Sequence, residues 1–164
     1  MAWKRPPLRK WPELIVKQKV LAYITNGRRL LLFRHPESPE AGIQVPAGTL
    51  EAGESPEEGV LREAYEETGL SGLTLVSFLG NQHRNLLDFG RAEIHQRWFY
   101  HLACPGNPPA EWRHFETDPS DGSPGPIPFD FFWAEFPHEV PQLVADHDFM
   151  FPQLQESLNK PQFF

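Results

Sequence analysis

The segment "GTLEAGESPEEGVLREAYEETGL", residues 48–70, contains seven glutamates and one arginine. The formal net charge of the 164-residue chain is −7, so much of its acidity lies in this one segment. Four residues are typical of helix ends: Ser55 as the N-cap, Pro56 at the first helical position, Glu58 in a capping box and Gly69 as the C-cap. The sequence therefore predicts a helix over residues 56–68.

The side chains of this helix divide into two stripes at about 100° per residue. The stripe predicted to be buried consists of Val60, Leu61, Ala64, Tyr65 and Thr68. The neighbouring stripe carries Glu63, Glu66 and Glu67 near the C-terminal end, with Gly59 one turn earlier leaving room for a close approach. Like charges at this spacing repel each other, and the helix dipole is negative there. A divalent cation would reverse both terms, and oxygen-only ligands favour Mg²⁺ or Mn²⁺.

The spacing of the segment resembles the signature of the Nudix hydrolase superfamily, G-x5-E-x7-R-E-U-x-E-E-x-G-U, in which U is a bulky aliphatic residue. The matching residues are Gly48, Glu54, Arg62, Glu63, Ala64, Glu66, Glu67, Gly69 and Leu70. Ala64 is the one departure, because alanine is small for a U position. We expect it to loosen packing slightly and to leave the chemistry unchanged.

The resemblance implies a Nudix-type nucleoside diphosphate-X pyrophosphohydrolase, in which water attacks a phosphorus atom of the pyrophosphate. Its implied metal ligands are the Gly48 carbonyl, Glu63, Glu66 and Glu67, with Glu63 as ligand or general base. Arg62 would orient one of the glutamates, and Glu54 would support the site. The implied cofactor is Mg²⁺, with Mn²⁺ as a substitute, because such ions neutralise phosphate oxygens and lower the pKa of bound water.

Residues outside this segment supply further candidates. In related enzymes the base is sometimes an acid on a later strand or loop, and Glu93, Glu116 and Asp118 are candidates here. Glu93 ranks first because the same face of its strand carries His95 and Arg97. Arg34 follows a predicted strand near the expected cleft and is the candidate for binding a substrate phosphate, although an ordinary surface arginine is an equal interpretation.

Apolar runs and turn residues predict the remaining elements. The stretch "VLAYITNGRRLLLFRH" predicts a hairpin turning at Asn26-Gly27. Further strands are predicted at residues 73–79, 93–102 and 131–136, with a short one stopped at Pro46. Residues 104–130 are predicted to be mostly loops, and Pro152 to open a C-terminal helix. This order predicts an α/β fold with a mixed β-sheet, which the resemblance makes a Nudix-type α/β/α sandwich.

Length and composition are typical of one domain over residues 1–164, with residues 1–12 as a flexible basic arm. No apolar run is long enough for a membrane span or a signal peptide, and one cysteine fits a reducing compartment, so we expect a cytoplasmic protein without membrane contact. A pI of about 5.5 argues against general nucleic-acid binding and favours a small-molecule nucleotide partner. The sequence leaves the oligomeric state open, with a homodimer as the frequent family form.

Two alternatives to the enzyme belong to other classes. The first is a non-catalytic module that binds nucleotides or ADP-ribose-like ligands on the same fold. The second is an acidic helix with a solvated face and no metal. Substrates from ADP-ribose and nucleoside triphosphates to dinucleoside polyphosphates, sugar nucleotides and capped RNA stay open.

Overall fold

The computed structural model describes residues 2–7, 13–116 and 125–161. Within them the elements are β1 (Ile15–Asn26), β2 (Arg29–Arg34), β3 (Ala47–Thr49), α1 (Pro56–Thr68), β4 (Thr74–Asn85), β5 (Glu93–Ala103), β6 (Glu111–Glu116), β7 (Ile127–Glu135) and α2 (Phe151–Asn159). Short 3-10 turns lie at Pro39–Ala41 and Leu87–Phe89. The predicted hairpin, the strand at 93–102 and the helix opened by Pro152 are confirmed.

The strands form one mixed sheet in the order β4-β5-β1-β2-β7-β6. β1 runs parallel to β5, while the other strand pairs are antiparallel. On its second edge β1 pairs with β2 at Thr25 and Asn26, and with β3 from Lys19 to Leu21. Because one edge of β1 serves two partners, β2 and β1 separate, and a cleft opens beside β3.

The two faces of the sheet carry two cores. Along β1, Val20, Ala22 and Ile24 join one buried cluster with Val60 and Ala64 of α1. The alternate residues Leu21 and Tyr23 join the other cluster with Leu154 of α2. This is the period-2 alternation of a strand buried on both faces. The predicted α/β/α sandwich with a mixed sheet is therefore confirmed.

The structure corrects the predicted strand boundaries. β6 crosses the segment predicted to be loop, and β7 begins at Ile127 rather than 131. β6 is an edge strand whose residues alternate between exposed and half-buried, so its apolar signal is weak beside the flanking prolines and glycines. β4 continues to Asn85, six residues beyond the prediction.

The structure also corrects the predicted strand end at Pro46 and the predicted burial of Tyr65. Pro46 does not stop a strand but precedes β3, and its carbonyl accepts a hydrogen bond from the Ala22 N–H at 2.8 Å. Tyr65 lies at the edge of the apolar stripe of α1 and is 58% exposed, because the sheet covers only the Val60, Ala64 and Thr68 side.

Two further predictions concern the basic arm at residues 1–12 and the absence of a membrane span. Residues 2–7 of the predicted basic arm are exposed and lie outside helices and strands, while residues 1 and 8–12 lie outside the described residues. Within the described part of the chain, neither α-helix is long and apolar enough to cross a membrane.

Candidate active site

α1 has the bounds and caps that its sequence predicts. The Ser55 Oγ accepts a hydrogen bond from the Glu58 N–H at 3.2 Å. Gly69 adopts φ +75°, and its N–H donates to the Tyr65 carbonyl at 2.8 Å. These local bonds satisfy backbone groups that a helix end leaves unpaired, and they fix where the acidic stripe begins and ends.

Arg62 holds three of the glutamates. Its Nε and Nη2 donate to the two oxygens of Glu54 at 2.6 and 2.8 Å, a planar two-point pair. Its Nη1 donates to Glu63 Oε1 at 2.9 Å and to Glu66 Oε2 at 3.1 Å. The hydrogen bonds from Arg62 lower the pKa of Glu54 to about 2. The arginine therefore keeps the Glu54 carboxylate ionised and aligned under the helix.

Gly48 and Gly59 allow the close contact of α1 with the loop before it. A Cβ atom on Gly48 would lie 1.9 Å from Cδ of Glu63, so only a hydrogen atom fits between β3 and that carboxylate. A Cβ atom on Gly59 would lie 2.2 Å from Cδ2 of Leu50. The space beside Gly59 is thus filled by the Leu50 side chain of the preceding loop. Burial raises the pKa of Glu63, against the opposing effect of Arg62.

Glu67 is the buried carboxylate of the stripe, with 5% of its surface exposed. Burial raises its pKa well above the ordinary value, and the negative charges of Glu116 and Glu63 raise it further. The backbone N–H of Ala47 donates to it and opposes this shift. Glu67 and Glu116 both line the cleft. A cation here would remove the cost of burying like charges together.

The donor set fits a hard divalent cation. It consists of carboxylate oxygens and the carbonyl of Gly48, the type of ligand that Mg²⁺ and Mn²⁺ prefer. In the present arrangement Arg62 binds Glu63 and Glu66. Among the described residues, no three acidic, imidazole or thiol groups lie close enough together to hold an ion. Glu66 is 57% exposed, so its side chain is free to turn from Arg62 toward an ion.

The cleft has a volume of about 500 Å³ and three kinds of wall. Its acidic wall is formed by Gly48, Glu67 and Glu116. Its apolar wall is formed by Phe33, Ile127 and Phe129, with the His35 ring packed edge-on at 4.8 Å from Phe129. Its basic wall is formed by Lys19, Arg91, His95 and Arg97. Such a cleft is suited to a ligand with an apolar ring system and several anionic groups.

Glu93 and Arg34 are not among the described residues that line the cleft. Glu93 is buried against Lys17 at 3.2 Å and Arg91 at 3.0 Å, and it is bonded to His95. Burial would raise the pKa of Glu93, but these cationic and imidazole partners together lower it. The guanidinium of Arg34 instead lies 4.0 Å from the centre of the Phe132 ring.

The acid outside the signature that lies beside Glu67 is Glu116, which the sequence ranked below Glu93. The third acid considered, Asp118, lies outside the described residues. Lys19, which the sequence analysis missed, donates to Thr49 Oγ1 at 2.6 Å and lines the cleft. A lysine on the half-buried part of a long apolar strand was the signal that could have identified it.

Comparisons with known proteins identify the family and the fold. A model of the NUDIX domain matches residues 17–122. An NAD-capped RNA hydrolase NudC of Haemophilus influenzae is 30% identical over 115 residues, which cover 58% of this chain and 44% of that protein. A NudC of Vibrio atlanticus is 35% identical over 63 residues, which cover 38% of this chain and 23% of that protein. The chain therefore spans less than half the length of these curated relatives.

Solved structures share the fold. A NUDIX hydrolase from Nitrosomonas europaea superposes with a TM-score of 0.60 at 18% identity, over 90% of this chain and 97% of that one. A UDP-X diphosphatase gives a TM-score of 0.59 at 17% identity, over 92% of this chain and 66% of that one. At these identities the structural likeness concerns the fold alone. The family is shown by the NUDIX domain model, which matches residues 17–122 and so covers most of the chain. The chain belongs to the NUDIX family.

Proposed function

We propose that this protein hydrolyses the pyrophosphate bond of a nucleoside diphosphate linked to another moiety, in a reaction that depends on Mg²⁺. The observation that carries the proposal is the buried Glu67 on the wall of a cleft of about 500 Å³, next to the carboxylates that Arg62 aligns. An acidic helix with a solvated face would not bury one of its glutamates against a second acid from another strand.

The proposed metal ligands are the Gly48 carbonyl, Glu63, Glu66 and Glu67. When bound, Mg²⁺ neutralises the phosphate oxygens and makes the attacking water more acidic. Arg62 and Gly48 set the position of the Glu63 carboxylate, and Glu54 fixes the Arg62 guanidinium in turn. Positioning of this kind is required because small displacements of a catalytic group reduce the rate strongly.

The proton of the water needs an acceptor at the cleft, and Glu63 and Glu116 are the two proposed bases. Glu116 is favoured among the acids outside the signature because its charge acts on Glu67 and its side chain lines the cleft. Glu93 is proposed to act indirectly, by holding Arg91 and His95 at the basic wall. The apolar wall of Phe33, Ile127 and Phe129 is proposed to contact the nucleobase.

The NudC relatives are named as hydrolases of NAD-capped RNA, so this RNA and small nucleotide derivatives are the two substrate classes to compare. We propose a small nucleotide rather than a capped RNA, because a chain with a net charge of −7 repels a polyphosphate backbone.

A substrate panel tests the function. ADP-ribose, NAD, UDP-sugars, nucleoside triphosphates, dinucleoside polyphosphates and NAD-capped RNA are incubated with the protein and Mg²⁺, and the products are identified by mass spectrometry. Removal of the metal by a chelator should abolish product release, and added Mn²⁺ should restore it. Glu67→Gln should reduce turnover by about 100-fold or more, because a neutral amide holds a hard cation poorly.

The matched control is Glu58→Gln, the same substitution at an exposed position in the first turn of the same helix. Its turnover should stay within about twofold of wild type, as expected for a surface site. Wild-type turnover by Glu67→Gln at saturating Mg²⁺ would contradict the proposed metal site. Binding of nucleotides without any product would favour the non-catalytic module instead.

A further inference from the structure

Arg97 is a buried arginine at the cleft without a carboxylate partner among the described residues. It is 3% exposed and lines the cleft. Its Nη1 donates to the Ala145 carbonyl at 2.5 Å and to Gln82 Oε1 at 3.4 Å. Its Nε and Nη2 donate to none of the described groups. Among the described residues only Nε of Arg84 is a fully buried polar side-chain atom without a partner, so the unpaired nitrogens of Arg97 keep some surface exposed and can receive a ligand in the cleft that Arg97 lines.

Lys19 adds a second positive charge next to Arg97. The two residues are register partners on the parallel strands β1 and β5 and lie on the same face of the sheet. Like charges directly opposite each other on neighbouring strands are destabilising. Burial lowers the pKa of both side chains, for Lys19 against the opposing charges of Glu93 and Glu63. Both residues line the cleft, so an anion bound there would be attracted by both charges.

The sheet register places Arg97 one strand further from the acidic site than Lys19, whose charge acts on Glu63 and Glu67. Lys19 pairs with Thr49 of β3, the strand that carries Gly48, and with Arg97 on its other side. Neighbouring strands lie about 4.8 Å apart, so β5 lies roughly 10 Å from β3. A substrate with its diphosphate at Glu67 would therefore reach Arg97 with the attached moiety and not with the scissile bond.

The loop before α2 completes the basic wall. Ala145 and Asp146 adopt φ +50° and +58°, a left-handed conformation that non-glycine residues rarely adopt, and the Ala145 carbonyl holds Arg97. Backbone strain of this kind occurs often at functional sites. The next residue, His147, accepts the Val45 N–H on Nδ1 at 3.1 Å, so its ring proton is on Nε2. His147 also lines the cleft.

We propose that Arg97 and Lys19 bind a second anionic group, a phosphate or a carboxylate, on the moiety linked to the nucleoside diphosphate. This inference rests on the proposed function and narrows the substrate to a nucleotide derivative with a charge beyond its diphosphate. Arg97 is then a specificity-determining residue, since its planar fork matches both kinds of oxyanion.

Pairs of substrates that differ by one anionic group test the inference. UDP-glucuronate against UDP-glucose tests a carboxylate, and ADP-ribose 5″-phosphate against ADP-ribose tests a phosphate. For at least one pair, the kcat/KM of the wild-type protein should be at least about tenfold higher for the anionic member than for the neutral one. Arg97→Gln should remove this preference by lowering kcat/KM for the anionic member about tenfold, with the neutral member within about threefold.

Two further variants keep the test independent of folding. Lys19→Gln removes the second cation and should reduce the same preference, even if Arg97→Gln is unstable. Arg113→Gln is the matched control, because it removes an exposed arginine that pairs with Asp130 outside the cleft. It should leave the preference unchanged. Equal loss of both members of each pair in Arg97→Gln and in Lys19→Gln would overturn the inference and leave the proposed function intact.

Binding without turnover separates this inference from the proposed function. If the wild-type protein hydrolyses neither member of either pair, nor any substrate of the panel, the proposed hydrolase is wrong. Calorimetric titration of UDP-glucuronate and UDP-glucose without metal then tests the subsite alone. About tenfold tighter binding of the anionic ligand, lost in Arg97→Gln, supports the anion site, while equal binding of the two ligands contradicts it.

Discussion

Gly48 shows how closely single residues are fitted at this site. The residue has no side chain because the space is taken by the carboxylate of Glu63, which itself receives a hydrogen bond from Arg62. The same guanidinium donates to Glu54 and Glu66. The spacing of the signature thus reflects close contacts that leave no room for larger side chains. Helix propensity does not require any of them, since glycine and clustered glutamates weaken a helix.

Gly48→Ala should separate activity from folding. The added Cβ would lie 2.1 Å from Oε2 of Glu63, so that carboxylate must move away from β3. We expect turnover to fall by about 100-fold, because a displacement of about 1 Å at a catalytic group has that effect. The measurement is steady-state kinetics with Mg²⁺, together with a thermal melting curve.

Gly106→Ala serves as the control for loss of a glycine. Gly106 lies at φ +71° with no atom within 4 Å of the added Cβ. The substitution should cost about 1 kcal/mol of stability from backbone strain and leave turnover unchanged. If Gly48→Ala retains wild-type turnover, the close approach of β3 to Glu63 does not position the catalytic group.

At the scale of elements, β6 supports the end of α1 that carries Glu66 and Glu67. The indole N–H of Trp112 donates to the Thr68 carbonyl at 2.9 Å, and Nε2 of His114 donates to the Glu66 carbonyl at 2.9 Å. Carbonyls in the last turn of a helix have no partner within the helix, so an edge strand satisfies them here. β6 also ends at Glu116, so one strand both holds the helix and brings an acid to the cleft.

Trp112→Phe tests this support. Phenylalanine preserves the stacking on Phe131, at 5.1 Å between ring centres, but removes the hydrogen bond to Thr68. We expect Mn²⁺ to bind about fivefold more weakly, the equivalent of about 1 kcal/mol, because the last turn of α1 is less firmly held. Calorimetric titration with Mn²⁺ measures the change.

Trp133→Phe is the matched control for Trp112→Phe. Trp133 on β7 makes the same kind of bond, but its indole N–H donates to the Pro109 carbonyl at 2.9 Å, in the loop before β6 and not in α1. Its Mn²⁺ affinity should equal that of wild type. Equal affinities in all three proteins would show that β6 does not position the metal ligands.

At the scale of the whole molecule, a buried polar network ties the sheet to α2. His101 of β5 bonds through Nε2 to Thr25 of β1 and through Nδ1 to Ser157 of α2, both at 2.7 Å. Ser157 also bonds to Ser77 of β4 at 2.8 Å. Burial lowers the pKa of His101 to about 4. The network therefore stabilises the sandwich as long as the imidazole stays neutral.

The stability of the protein should consequently fall in mild acid. The folded-state pKa of His101 lies below the unfolded value of 6.5, so the unfolded chain binds more protons between about pH 6.5 and pH 4. The contribution of His101 is fully present above this window and is lost as the pH falls through it. It amounts to about 2 kcal/mol between pH 7 and pH 5.

Urea denaturation of wild type and His101→Gln at both pH values checks this expectation. The variant is less stable at pH 7 because it disturbs the network, but its loss of stability toward pH 5 should be smaller by about 2 kcal/mol. An identical loss in both proteins would show that the ring of His101 does not titrate with unfolding.

The sequence by itself determined α1, its caps and the spacing of its glutamates. The physical reason is locality, since capping bonds and the stripes of a helix join residues a few positions apart. The strand at residues 93–102 followed from alternation for the same reason. The exposure of Tyr65 was missed because it depends on how far the sheet extends beneath the helix.

Only the tertiary structure decided what lies across the cleft. Lys19 and Arg97 are 78 positions apart in the chain and become neighbours through the register of β1 and β5. Glu116, and not Glu93, lies at Glu67 because β6 pairs at the far edge of the sheet and packs against α1. The sequence of β6 lacks a strong apolar pattern, so this position was not predicted. Such pairings are fixed by burial of the whole sheet between two helices, and no local interaction encodes them.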